Sequence, residues 1–298
     1  MDVLLLRYGE LFLKGRNMPP FERQLRQNIE AMSGRKVHST RGRLLMEYFP
    51  EHQQLRLVFG LASYSPALQV EKEMEAIKKA ALALVRSLPR TFPATFKVET
   101  TRSDKTFPLT SLQMNILLGK HIEQETNLQA DYKSHKNQKN SSSATNTVFL
   151  EINQVGAFLY TEVISGPGGL PVGSSGMVSL LMENDASILA GLLMMKRGCR
   201  IVPTYVDASG TLEKKLDLSL LQKFSPQALS STVLKDKEEL SAFIEQQDLT
   251  LVTGEVLGNE KVLEKGGEQA DFVTLKPLIA YTGEEIRVRL SLFQELTF

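Results

Sequence analysis

The sequence predicts an α+β N-terminal region that opens with a ferredoxin-like unit, followed by a smaller α/β domain built on a parallel sheet. Three observations carry this expectation. Residues 1–70 follow a β-α-β-β-α-β order, a Gly/Pro-rich segment interrupts the chain at 166–176, and apolar strands alternate with helices from residue 177 onward.

The elements follow in chain order. Residues 3–8 read as a short buried strand. Phe21, Leu25, Ile29 and Met32 then recur at helical spacing behind Pro19-Pro20, which suits a helix start. Extended runs at 36–40 and 43–49 flank Arg41-Gly42 as in a hairpin. A short helical stretch at 52–59 and an extended run at 64–70 complete the unit. Val70, Met74, Ile77, Ala81, Leu84, Val85 and Leu88 form one apolar helical stripe that Pro89 ends. Residues 95–101 alternate like a strand, 109–125 are helical, and 147–152 and 157–164 read as strands. The Lys/Ser/Asn-rich stretch 131–145 reads as a mobile loop, with Lys133, His135, Lys136 and Lys139 as candidates for phosphate contact.

In the last part, 177–182, 200–207, 248–255 and 272–278 are the expected strands. Helices are expected at 186–197, 218–224, 237–246 and 284–293. Strands separated by helices imply a parallel sheet covered on both faces.

Composition excludes several classes. In 298 residues, a 42% hydrophobic share rules out general disorder. One cysteine rules out a disulfide framework or a Cys-rich metal site, and the four histidines, at 38, 52, 121 and 135, form no H-x-x-x-H pair. The acidic second residue and a run of four apolar residues do not suit a signal peptide, and no apolar run reaches the ~20 residues of a membrane span. The expectation is a cytoplasmic protein without a membrane partner.

A formal charge of +1 conceals an asymmetry. Residues 177–298 hold 13 basic and 18 acidic side chains, a net of −5, whereas residues 1–176 hold 22 and 16, a net of +6. A basic half points to an anionic partner, nucleic acid first.

Residues 166–176 contain five glycines and two prolines, which no helix or strand interior tolerates. The mixture suggests a fixed series of turns rather than a flexible linker. Followed by an apolar strand, it resembles the junction into the ATP domain of the tRNA 4-thiouridine synthetases, the ThiI tRNA sulfurtransferases. The resemblance runs along nearly the whole chain. Residues 5–22, reading LLRYGELFLKGRNMPPFE, are similar to the family's opening. Phe96-Lys97-Val98 with Arg102, Lys105, Thr106, Phe107, Pro108 and Ser111 resembles the centre of its THUMP domain, an RNA-binding module. Leu150-Glu151-Ile152 and residues 157–161 are similar to that module's closing strands. Residues 252–258 and 275–281 resemble late parts of the ATP domain. The resemblance implies an N-terminal ferredoxin-like domain at 1–70, a THUMP domain at 71–165, the junction at 166–176, and a shortened Rossmann-like, PP-loop ATPase-type domain at 177–298.

It also implies a role in docking a tRNA acceptor end for Lys14, Arg16, Arg102 and Lys105; Lys133 and Lys136 stand beside them as RNA-binding candidates from the composition of the polar stretch alone. Such cations position a backbone without reading sequence. Phe107 and Pro108 read as residues that shape the loop rather than stack on bases.

The family's S-G-G-x-D-S loop, whose backbone N–H groups wrap a pyrophosphate, falls here on Met182, Glu183, Asn184, Asp185, Ala186 and Ser187. Only Ser187 matches. Glu183 and Asp185 bring carboxylates where a polyphosphate belongs, at a repulsion of ~1–4 kcal/mol per charge pair at ~4 Å. Asn184 or Asp185 is expected to cap the following helix. The 298 residues contain no counterpart of the family's late catalytic cysteine, rhodanese domain or Met-Arg-Arg-rich helix. Cys199 reads as a buried small hydrophobe rather than a sulfur carrier.

The expected function is therefore a tRNA-binding protein of this family, related to tRNA thiolation, with a disabled ATP site and no catalytic residue of its own. One alternative is an active ATP-dependent tRNA sulfurtransferase with a divergent loop, relying on Glu255 and Ser187 and acting on tRNA uridine or on thiamine thiazole. Another is a protein-interaction subunit of an RNA-modification complex. No cofactor or metal is expected, ATP with magnesium belonging only to the active alternative. The partners expected are tRNA and an intact sulfurtransferase or sulfur-carrier protein, with a homodimer left open.

Overall fold

A computed structural model describes residues 1–88, 95–132, 146–208, 216–257 and 273–297. The chain divides into two compact units that interleave in sequence.

The first unit comprises Met1–Leu6, His38–Phe49 and Tyr64–Ile164. Strand β1 (Val3–Arg7) buries Leu4, Leu5 and Leu6 completely. Helix α1 (Met18–Ser33) follows but belongs to the second unit. Strands β2 (His38–Thr40) and β3 (Arg43–Glu47) form the expected hairpin, with Thr40 paired to Arg43 and Gly42 at φ 80° in the turn. The short helical stretch expected at 52–59 is a 3-10 helix at His52–Leu57, and β4 (Ser63–Val70) follows it. Val70 therefore ends a strand rather than opening the next helix.

Helix α2 (Met74–Arg86) buries Ile77, Ala81, Leu84 and Val85 from the expected stripe. Then come β5 (Thr95–Arg102), α3 (Ser111–Glu125), β6 (Gln129–Ala130), β7 (Asn146–Ile152), β8 (Ala157–Tyr160) and β9 (Ile164–Ser165). Helix α3 opens on a capping box between Thr110 and Gln113. The strand expected over 157–164 is broken into β8 and β9, and the two-residue β6 left no pattern to find. The sheet runs β2-β3-β1-β4-β8-β7-β5-β6, with β9 beside β4. Helices α2 and α3 cover one face around Phe96, Leu118 and Leu150.

Arg43 on β3 donates to Glu151 on β7 at 2.9 and 3.4 Å, although β1, β4 and β8 lie between those strands. A flat sheet would separate strands four places apart by about 19 Å. The sheet therefore coils back on itself, as strongly twisted sheets do.

The second unit comprises Arg7–Val37, Pro50–Ser63 and Ser165–Phe298. Its sheet is built from β10 (Met177–Leu181), β11 (Arg200–Val206), β12 (Thr232–Leu234), β13 (Thr250–Val252) and β14 (Thr274–Leu275), in the order β12-β11-β10-β13-β14 and parallel throughout. The helices are α4 (Asp185–Lys196), α5 (Ser219–Phe224), α6 (Lys237–Gln246) and α7 (Gly283–Glu295). Helix α4 is apolar nearly all round and is buried from Ser187 to Leu192. It packs with α5 and α7 around Leu180, Ile201 and Val252, while Leu240 and Ile244 of α6 meet Leu181 and Leu251 elsewhere in this unit. Phe59 enters the first of these cores, with its ring centroid 5.2 Å from that of Phe224.

Two expected strands are shorter than the sequence implied. The run 248–255 pairs only at Thr250–Val252, because Asp248 has a φ of 50° and the chain leaves the sheet after Thr253. The run 272–278 pairs only at Thr274–Leu275; Pro277, with no N–H to donate, sits in the turns that follow, and residue 272 lies outside the described residues. The edge strand β12 falls in an interval where no strand was expected.

The Gly/Pro segment is a fixed series of turns. Gly168, Gly169, Gly173 and Gly176 have φ between 66° and 91°. The main chain is tied to Leu61, Lys196 and Gly198 by backbone hydrogen bonds, and the Asn28 amide donates to Val172 O at 3.0 Å.

Candidate functional site

Strand β10 lies between β11 and β13, so the chain leaves it toward one side and returns on the other. In parallel α/β sheets the crevice at the carboxyl ends of such strands is where ligands bind. Here that place is formed by Met182–Ser187 after β10 and by Thr253, Gly254 and Glu255 after β13.

Local sequence explains its shape. Asn184 is the N-cap of α4, and its Oδ1 accepts from Ala186 N at 2.9 Å. Ser187 N donates to Asn184 O at 2.9 Å, and Glu183 N donates to Ser187 Oγ at 3.2 Å. The N–H groups of Glu183, Ala186 and Ser187 are thus all engaged within the chain. Ser187 and Thr253 are fully buried. Gly254 lies flat against the helix start: a Cβ there would fall 2.7 Å from Ser187 N.

Glu183 and Asp185 are exposed, and Met182 is buried. Although the residue as a whole is exposed, partial loss of water around its carboxyl, and then the charge of Glu255, push Glu183 above its ordinary value. Glu255, with a side chain only 9% exposed, is paired to Lys276 at 2.7 Å. The charge that acts on Glu183 is thus that of Glu255, from a distant part of the sequence. Lys276 was not singled out from the sequence; its signal was a lone cation after an apolar run, which has no pattern to recognise. Among the described residues no group of three or more His, Cys, Asp or Glu could hold a metal ion. Cys199 is 7% exposed and burial raises its thiol pKa, which suits a small core residue.

The basic residues divide into kinds. Lys14 and Arg16 lie in a 3-10 segment, Glu10–Asn17, interrupted at Gly15 with φ 52°. Lys14 Nζ sits 4.9 Å from the Phe21 ring centroid, and Arg16 is exposed. Lys105 is exposed, whereas Arg102 turns its Nη1 onto the carbonyl oxygens of Phe107 and Leu109 at 2.6 and 2.8 Å. Phe107 is 7% exposed and packs in the core beneath. Lys133 and Lys136 lie outside the described residues. No helix among the described residues is long and apolar enough to cross a membrane.

Two family patterns match: the ThiI ferredoxin-like domain over residues 3–65 and the THUMP domain over residues 71–162. The "Probable tRNA sulfurtransferase" of Moorella thermoacetica is 31% identical over 95% of this chain and 81% of its own length. The chain belongs to the tRNA sulfurtransferase family.

A second tRNA sulfurtransferase, from Brevibacillus brevis, is 38% identical over 66% of this chain but only 50% of its own length. Among solved structures, a 4-thiouridine synthetase–RNA complex with bound ATP is similar over 99% of this chain and 85% of its own, with 26% identity and a TM-score of 0.80. The crystal structure of PH1313 from Pyrococcus horikoshii matches over the full length of both chains, with 28% identity and a TM-score of 0.76. The architecture is accordingly that of the tRNA sulfurtransferases: ferredoxin-like and THUMP domains with a parallel-sheet α/β domain.

Proposed function

We propose that this member of the family binds tRNA, serves tRNA thiolation, and carries an ATP site that has been disabled. The observation behind the last clause is the pair Glu183 and Glu255 at the mouth between β10 and β13. A polyphosphate needs free N–H donors and positive potential. At this place the donors of Glu183, Ala186 and Ser187 are engaged and the charge of Glu255 acts on the Glu183 carboxyl, so the residues present do not suit the triphosphate. The THUMP match and the exposed Arg16 and Lys105 support the tRNA part, and the RNA-bound synthetase supports it by similarity. Catalysis then falls to a partner, an intact sulfurtransferase or a sulfur-carrier protein.

Two measurements test this reading. Filter binding of tRNA across a salt series should give an affinity that falls steeply with salt; weak, salt-insensitive binding removes the tRNA part. Thermal melting with millimolar ATP and magnesium should show no shift. A ligand at a hundred times its Kd adds ~2.7 kcal/mol, so a clear rise in Tm restores an ATP site.

The second reading is an active enzyme with a divergent loop. Lys276, 2.7 Å from Glu255, favours it by placing a cation at the mouth. ATP-dependent thiolation of tRNA by the purified chain would decide for it.

A further inference from the structure

The chain between β5 and α3 is held far more firmly than a surface loop of its length requires. Ser103 N and Asp104 N both donate to Ile152 O, at 2.9 and 3.4 Å. Asp104 is only 5% exposed. Its Oδ1 accepts from Thr106 N at 2.9 Å and from Thr106 Oγ1 at 2.6 Å, while its Oδ2 accepts from Lys72 Nζ at 2.6 Å. Lys72 also donates to Gln154 O at 3.4 Å, which anchors it from the other side. Arg102 holds the far end of the loop through the carbonyls of Phe107 and Leu109, and Phe107 fills the core below.

Lys105 stands in the middle of this arrangement. It is exposed and makes no hydrogen bond or ion pair among the described residues. Asp104 points inward, Lys105 outward and Phe107 inward, so the clamp leaves one cation at the apex. A carboxylate next to an anion-binding lysine is electrostatically adverse unless it has another task, and here Lys72 neutralises it. A cation on a pre-ordered loop loses less conformational freedom on binding than one on a mobile loop.

We propose that Asp104, locked by Lys72 and Thr106, is a positioning residue that presents Lys105 to an RNA phosphate, with Arg102 supporting the same loop from within. The inference rests on the tRNA-binding reading.

The test uses the full chain and total deacylated tRNA, with affinity measured over a salt series beside a thermal melt of each variant. Lys105→Ala should weaken binding roughly tenfold, as expected for one charge-assisted contact, and lower the salt slope by about 1. Asp104→Ala should weaken binding to a similar degree and lower the slope likewise. Its change in net charge alone acts in the opposite direction, toward tighter binding. The double variant should bind no worse than either single one, because both act through the same contact. Asp104→Asn, which keeps an acceptor for Thr106, should retain more affinity than Asp104→Ala.

Unchanged or tighter binding by Asp104→Ala, or losses that multiply in the double variant, overturns the proposal. So does Lys105→Ala binding like the wild type, which leaves tRNA binding itself intact. Failure of the wild type to bind tRNA instead overturns the reading beneath it. Should Asp104→Ala not fold, Thr106→Val carries the test: its loss of affinity should vanish in the Lys105→Ala background, and persistence there sinks the idea.

Discussion

Gly254 and Ser187 touch where β13 ends and α4 begins: a Cβ on Gly254 would lie 2.7 Å from Ser187 N and 2.9 Å from the Ala186 carbonyl carbon. The late Val-Thr-Gly-Glu segment and the start of α4 are therefore one surface, although far apart in sequence. Small size, rather than backbone freedom, is what the position requires.

Gly254→Ala should accordingly destabilise the fold by about 1–3 kcal/mol, the usual cost of overpacking. Chemical denaturation should show a lower midpoint at an unchanged slope. A wild-type midpoint would mean that the helix start yields without cost.

Glu183 gives a pH-dependent prediction. Partial desolvation of its carboxyl and the Glu255 charge raise its folded-state value above the ordinary 4.5. Between those two values the folded chain holds the proton more strongly than the unfolded chain, so this group's contribution to stability falls as pH rises. Glu183→Gln should therefore be more stable than the wild type at about pH 7, and the gain should disappear as pH drops below 4.5. An equal gain at both ends of the range would assign the effect to packing.

Asn184 caps α4 through its side chain. Asn184→Ala should cost about 0.5–2 kcal/mol, while Asn184→Asp, an equally good cap, should stay close to the wild type. Urea titration of the two variants distinguishes capping from any other role of the residue.

Arg43 and Glu151 meet across the coiled sheet of the first unit with side chains 24% and 6% exposed. Replacing Arg43 by Met removes two charge-assisted hydrogen bonds from a nearly buried carboxylate, and a loss of about 1.5–3 kcal/mol is expected. Stability equal to the wild type would mean that the coil is held by the apolar face alone.

Much of the fold was legible because it rests on local periodicity. The stripe from Met74 to Val85, the hairpin at Arg41-Gly42 and the alternation after Met177 each reproduce a repeat that buries one face. Strand ends were less legible. Thr253, Gly254 and Glu255 follow directly on the run 249–252, yet the strand pairs only at Thr250–Val252. The two- and three-residue strands β6 and β12 are too short to show a period at all.

The sequence by itself determined the order of domains, the asymmetry of charge, the fixed Gly/Pro junction and the absence of glycine from residues 182–187. Those features depend on residue type and on neighbours along the chain. Only the tertiary structure decided that the charge of Glu255 acts on Glu183, that Lys276 pairs with Glu255, and that Arg102 turns back on its own loop. Each joins groups whose encounter depends on strand order or on the path of a turn, and side-chain chemistry alone does not specify either.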